Sequence, residues 1–81
     1  MENKVAVISI IVKNEEASGA VNEILHEFRE RIVGRMGIPY RDRGISIISV
    51  VVDAPGSEIS ALSGKLGMLD GVSAKTLTAK L

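Results

Sequence analysis

All five arginines of this 81-residue chain fall between residues 29 and 43: Arg29, Arg31, Arg35, Arg41 and Arg43. Only Glu30 and Asp42 offset them there, although the ten basic and ten acidic residues of the whole chain cancel. A guanidinium offers planar N–H forks that match a carboxylate or a phosphate. The stretch VGRMGIPYRDRG, residues 33–44, therefore admits three readings. Arg35 with the Arg41–Arg43 pair forms a small-anion or protein-docking site, duplicated across a symmetric assembly. Alternatively, the charges and Pro39 guard an edge strand against unwanted pairing, with Tyr40 packing at the strand end. Direct nucleic-acid binding is the third reading and is disfavoured. The chain has no net charge, one Tyr, one Phe and no Trp, so it lacks the aromatic platforms on which bases stack.

Other chemistry is sparse. There is no cysteine, which removes thiolate metal sites, disulfides and thiol nucleophiles and fits a cytoplasmic location. His26 is the one imidazole. It lies three or four residues from Glu23 and Glu30 and beside Glu27, a pattern expected of ion pairing on an exposed helix face. A metal would need more ligands than a His–Glu pair supplies. With one histidine, no serine has a triad to join. Asp53, Glu58 and Asp70 are expected at a turn, a helix start and a loop, not across a hydrolytic cleft. The glycines match neither phosphate-loop signature. No catalytic residue, metal or cofactor is implied, and the chain is expected not to be an enzyme.

The elements that would position these residues follow from hydrophobic period. Residues 5–12 are almost wholly apolar and predict a strand covered on both sides. Asn14 can cap a following helix, with Glu15 and Glu16 in its first turn. Ala17, Val21, Ile24, Leu25, Phe28 and Ile32 then step by three and four, and Gly34 is expected to end that helix. Residues 35–40 predict a short edge strand, since Pro39 is costly in a central one. YRDRG is a turn. Residues 45–52 form a second strongly apolar strand, Ser57 is the expected cap of a second helix closed by Gly67, and residues 72–79 form a half-polar last strand. The order is βαββαβ, an α+β ferredoxin-like sandwich: a four-stranded antiparallel sheet with two helices on one face, in one domain over residues 1–81.

Two helices cover one face of such a sheet. Val5, Val7, Ser9 and Ile11 lie on one side of the first strand, and Ala6, Ile8, Ile10 and Val12 on the other. In the third strand, Ile45, Ile47, Ser49 and Val51 oppose Ser46, Ile48, Val50 and Val52. One set of each has no helix above it, leaving an apolar surface large enough to drive association. A homo-oligomer, dimer or tetramer, is expected, joined through the open face or an apolar edge. The first apolar run is too short to cross a membrane, and no membrane partner is expected.

The segments VGRMGIPYRDRGISIISVVVDA (33–54) and LSGKLGMLDGVSAKT (62–76) resemble the small stand-alone ACT-like proteins known as iron-only hydrogenase system regulators. Their fold is similar to that of the carboxy-terminal domain of the nickel-responsive repressor. The resemblance implies an ACT-like, oligomeric and non-catalytic regulatory domain. That repressor reads DNA through an amino-terminal ribbon-helix-helix segment and binds nickel through histidine and cysteine. Neither property is expected of this chain, which opens on its first strand and has one histidine and no cysteine. ACT domains bind amino acids at a subunit interface, through the loop after the first strand and the start of the first helix. The matching segment is KNEEASG, Lys13–Gly19. The resemblance thus implies a small anionic or amino-acid effector, with Lys13, Asn14, Ser18 and Gly19 lining one part of its site. Arg35, Arg41 and Arg43 are expected to line another. The alternatives are a protein-docking module without a ligand and a DNA-associated regulator acting through a partner.

Overall fold

In the computed structural model, which describes residues 2–80, the two most apolar segments become the central strands of one sheet. Met1 and Leu81, the ends of the expected 1–81 unit, lie outside the described residues. The elements are β1 (Asn3–Val12), α1 (Ser18–Glu27), β2 (Ile32–Tyr40), β3 (Ile45–Pro55), α2 (Gly56–Gly67) and β4 (Val72–Thr78). The sheet is antiparallel in the order β2-β3-β1-β4. This is the βαββαβ ferredoxin-like arrangement with both helices on one face. Among the described residues, no helix is long and apolar enough to cross a membrane.

Alternation along the central strands builds the core. Ala6, Ile8, Ile10 and Val12 of β1 and Ile48, Val50, Val52 and Ala54 of β3 are buried under the helices. Val21 and Leu25 of α1 and Ile59, Leu62 and Leu66 of α2 cover them, at the spacings a single helical stripe requires. Polar edges fit the outer positions. Pro39 stands opposite Ser46 in β2, where its missing N–H disturbs no second neighbour.

Several boundaries differ from the sequence reading. Helix α1 ends at Glu27, not at Gly34, and a 3₁₀ turn over Arg29–Arg31 leads directly into β2. Ile32 therefore opens a strand instead of closing a helical stripe. It still packs on the core, because it stands opposite Val52 on the helix side. β2 begins at Ile32, not at residue 35, and contains a one-residue bulge at Val33 between the Ile32–Val52 and Gly34–Val51 pairs. Ser57 lies inside α2. The cap position is Pro55, whose fixed backbone angle makes the entry without a side-chain hydrogen bond. Gly67 is the last residue of α2, followed by Met68 at the cap. Asp53 belongs to β3, paired with Val5, and not to a turn. β4 stops at Thr78, although the Ala79 N–H still donates to the Val5 carbonyl at 2.8 Å. Asn14 does cap: its Oδ1 accepts from the Glu16 N–H at 3.0 Å and starts a 3₁₀ turn over Glu15–Ala17 that runs into α1.

Two contacts tie the loops to this frame. Gly71 adopts φ 77°, and its carbonyl accepts from the Lys13 N–H at 2.7 Å, joining the end of β1 to the turn before β4. A Cβ at residue 71 would lie 2.8 Å from the Asn14 Cβ. Arg31 forms a two-point fork with Glu58: Nε and Nη2 donate to the two carboxylate oxygens at 3.1 and 2.8 Å. This links the turn after α1 to the first turn of α2.

Gly71→Ala is expected to destabilise the chain by at least about 2 kcal/mol, combining left-handed strain with the Asn14 clash. Gly44→Ala, at φ 65° but facing open space, should cost about 1 kcal/mol. Equilibrium denaturation of both variants checks the difference. The Arg31 and Glu58 side chains are 39% and 37% exposed, so solvent screens their pair. A double-mutant cycle with Arg31→Met and Glu58→Gln should give a coupling below about 1 kcal/mol that shrinks as salt is added.

Candidate functional site

The end of the sheet where β1 leaves for α1 and β2 turns into β3 forms a cleft of about 430 Å³. Val12, Pro39 and Ile45 give it apolar walls, Ser18 and Ser46 supply hydroxyls, and Glu15 and Arg41 bring opposite charges to its rim. Local structure explains the placement. The Asn14 cap fixes the 3₁₀ turn that carries Glu15, and Ser18 is the first residue of α1. Across the sheet, the Arg41–Arg43 turn is closed by the Gly44 N–H donating to the Arg41 carbonyl at 3.0 Å, with Gly44 left-handed. Among the described residues, the ion pairs are Arg31–Glu58 and Lys65–Glu27, so neither Glu15 nor Arg41 is neutralised by the other.

The residues expected to line a site divide in the structure. Ser18 and Arg41 meet at this cleft. Lys13 and Asn14 of the same connection and Gly19, the second residue of α1, do not line it, and Asn14 is occupied in capping. Arg43 lies in the same turn as Arg41 without facing the cleft. Arg35 is elsewhere. It stands opposite Val50 on the helix side of β2, and its Nη2 donates to the Asn22 Oδ1 of α1 at 2.9 Å. Five strand residues lie between it and Arg41, a span of about 20 Å at the rise of an extended chain. The expected grouping of Arg35 with the Arg41–Arg43 pair is therefore corrected.

Arg35 instead joins Asn22, Leu25, His26, Arg29 and Ile32 around a smaller hollow of about 250 Å³. The ion pairing expected for His26 is absent among the described residues. No group of three or more His, Cys, Asp or Glu side chains able to hold a metal occurs among them. A larger cleft, about 620 Å³, lies between α2 and β4 and takes in none of the expected site residues. Its Thr76 and Ser63 hydroxyls already bond to each other at 3.0 Å. Glu15, Ser46 and Arg29 were not singled out as site residues from the sequence. Glu15 and Arg29 carry a helical-phase signal, but Ser46 depends on the register of β3.

The open sheet face is the other chemical feature. Ile11, Met36, Ile38, Tyr40, Ile47 and Leu77 are exposed and all lie on the side away from the helices. Val5, Val7, Ile45 and Val51 are half-buried among them, screened only by their neighbours in the sheet.

Comparison with known proteins agrees with this architecture. The uncharacterized protein TM1266 from Thermotoga maritima superposes with a TM-score of 0.94 at 41% identity, over 98% of this chain and 100% of that one. A formyltetrahydrofolate deformylase from Pseudomonas putida gives 0.66 at 16% identity over 94% of this chain and 29% of that one, a likeness of fold alone. Proteins named "Putative nickel-responsive regulator" from Saccharolobus islandicus and Saccharolobus solfataricus are 29% identical over 66 residues, or 82% of this chain. The chain spans about half the length of these relatives, 49%. The names of these Saccharolobus relatives are those of regulators. Residues 4–76 match the family described as "TM1266-like: Iron-only hydrogenase system regulator, putative", and the chain belongs to that family.

Proposed function

We propose that this chain is a self-associating regulatory domain whose open sheet face packs against a second copy and whose Glu15–Arg41 cleft takes a small zwitterionic effector. The observation that carries the reading is the cluster of exposed apolar side chains on the uncovered face. Four strands about 4.8 Å apart and about 30 Å long present about 600 Å² in projection. Side-chain relief brings that toward the about 800 Å² per partner of a standard interface. The strand-borne charges on this face are Lys75, on the outer strand, and Asp53, at one end. Two copies related by a two-fold axis thus meet without a block of like charge.

The cleft suits an amino acid. Arg41 offers a fork to a carboxylate, Glu15 accepts from an ammonium, and Val12, Pro39 and Ile45 cover an apolar side chain. The relatives' regulatory names support this role. The nickel response in those names belongs to those proteins. The β2–β3 turn connects the two functions. Pro39 and Ser46 pair on the cleft side, whereas Tyr40 and Ile45 pair on the open-face side. A ligand that fixes Arg41 would fix the turn that ends the association surface.

Sedimentation equilibrium is expected to give a multiple of the chain mass, and Ile47→Lys should return the single-chain mass with an unchanged circular dichroism spectrum. A wild-type chain that sediments singly would remove the assembly reading. Thermal denaturation with each standard L-amino acid in turn should reveal saturable stabilisation by at least one, reduced about tenfold in affinity by Arg41→Gln. Stabilisation by none would leave a docking module without a ligand.

A further inference from the structure

The hollow between the end of α1 and the edge strand β2 differs in kind from the Arg41 cleft. Asn22, His26 and Arg29 recur at intervals of four and three and so share one side of the helical segment. Arg35 faces them from β2. Each arginine is held by a neutral acceptor: Arg29 Nη1 donates to the His26 carbonyl at 3.0 Å, and Arg35 Nη2 to the Asn22 Oδ1 at 2.9 Å. These bonds orient the guanidiniums without neutralising them. A guanidinium has five N–H donors, so most of the donors on each remain for a ligand.

No carboxylate lines the hollow. The acids nearest in the chain are Glu23, Glu27 and Glu30. Glu27 is engaged by Lys65 at 2.9 Å, and neither Glu23 nor Glu30 lines the site. Arg31, only two residues from Arg29, shows the contrast: its fork is filled by both oxygens of Glu58. Arg29 and Arg35 thus present the same chemistry with the anion missing from the protein itself. Leu25 and Ile32 supply an apolar floor, which strengthens a charged contact made above it. The volume of about 250 Å³ falls below the about 300–1,000 Å³ typical of sites for drug-sized ligands. It suits a small tetrahedral oxyanion.

We propose that Arg29 and Arg35, assisted by Asn22 and His26, form a receptor for a phosphate-type oxyanion, either free phosphate or the terminal group of a small phosphomonoester. The arginines supply the charge and the directed donors. Asn22 holds Arg35 in place and has amide hydrogens to offer, and the His26 ring adds a donor. The site shares no residue with the Arg41 cleft, so its outcome is independent of the effector reading.

The test is a titration of the ¹⁵N-labelled chain with inorganic phosphate, followed by nuclear magnetic resonance, with ionic strength held constant by chloride. Saturable shifts concentrated at Asn22, His26, Arg29 and Arg35 are expected. Arg29→Gln and Arg35→Gln should each weaken binding about tenfold, with the spectrum elsewhere reporting an intact fold. Lys80→Gln, which removes a distant charge, should bind as the wild type does. A parallel titration with methyl phosphate separates the sources: tighter binding identifies a phosphomonoester, and equal or weaker binding identifies free phosphate. Shifts that grow linearly without saturation would overturn the proposal. So would binding unaltered by both arginine substitutions, or weakened equally by Lys80→Gln.

Discussion

A four-stranded sheet has two faces, and two helices on one side leave the other bare. Every notable feature of this chain follows from that geometry. On the covered side, Ile8, Ile10 and Val50 are fully enclosed beneath α1 and α2. On the bare side, the same strands carry Val7, Ile11, Ile47 and Val51, side chains that a solvated face does not call for. The central strands are therefore apolar twice over, once for the helices and once for something the chain does not supply. The polar interruption is narrow. Ser9 pairs with Ser49 in the middle of the face, and small hydroxyls there leave room for close approach without the desolvation cost of a charge.

The short length of α1 has a second consequence. Ten helical residues rise about 15 Å, whereas the nine residues of β2 extend about 30 Å. The helix cannot roof the whole edge of the sheet, and each of its ends leaves a recess. At its start the recess is bounded by the turn carrying Glu15 and by Arg41. At its end it is bounded by His26, Arg29 and Arg35. The two recesses differ in charge because the chain entering α1 carries an acid and the chain leaving it carries arginines. One balances opposite charges across an apolar floor and the other concentrates like ones.

Much of the fold was legible because burial leaves a period. The doubly apolar segments had to be central strands, and Pro39 had to be near an edge, so strand order followed without any long-range contact being known. Helix ends were less legible. Ile32 continues the three-and-four stepping of α1, and hydrophobic period alone cannot distinguish a helical stripe from a strand residue that reaches the same core. Ser57 looked like a cap because serine is a good one, but Pro55 and Gly56 had already set the backbone entry. The family resemblance pointed to the segment around Glu15 and Ser18. It could not say which arginine would stand opposite. Nearness in sequence suggested that Arg35 and Arg41 act together, and an extended strand separates them by about 20 Å.

The bulge at Val33 decides where Arg35 goes. Side chains alternate along a strand, so a one-residue slip exchanges the two faces. With an unbroken ladder from Ile32, the helix side would receive Gly34 and Met36, and Arg35 would point into the bare apolar face. The extra residue at Val33, itself 69% exposed, restores Arg35 to the side of α1 while keeping Ile32 against Val52. The same shift sends Met36, Ile38 and Tyr40 together onto the open face. A single inserted residue at the sheet edge thus sorts β2 into a cationic side turned toward α1 and an apolar side turned away. It does so at the outer strand, where a bulge disrupts only one ladder and hinders further strand addition. The Arg29–Arg35 hollow and the β2 part of the open apolar face are consequently two sides of one local irregularity. A β2 whose register ran straight through would take Arg35 from the hollow and Met36, Ile38 and Tyr40 from the open face.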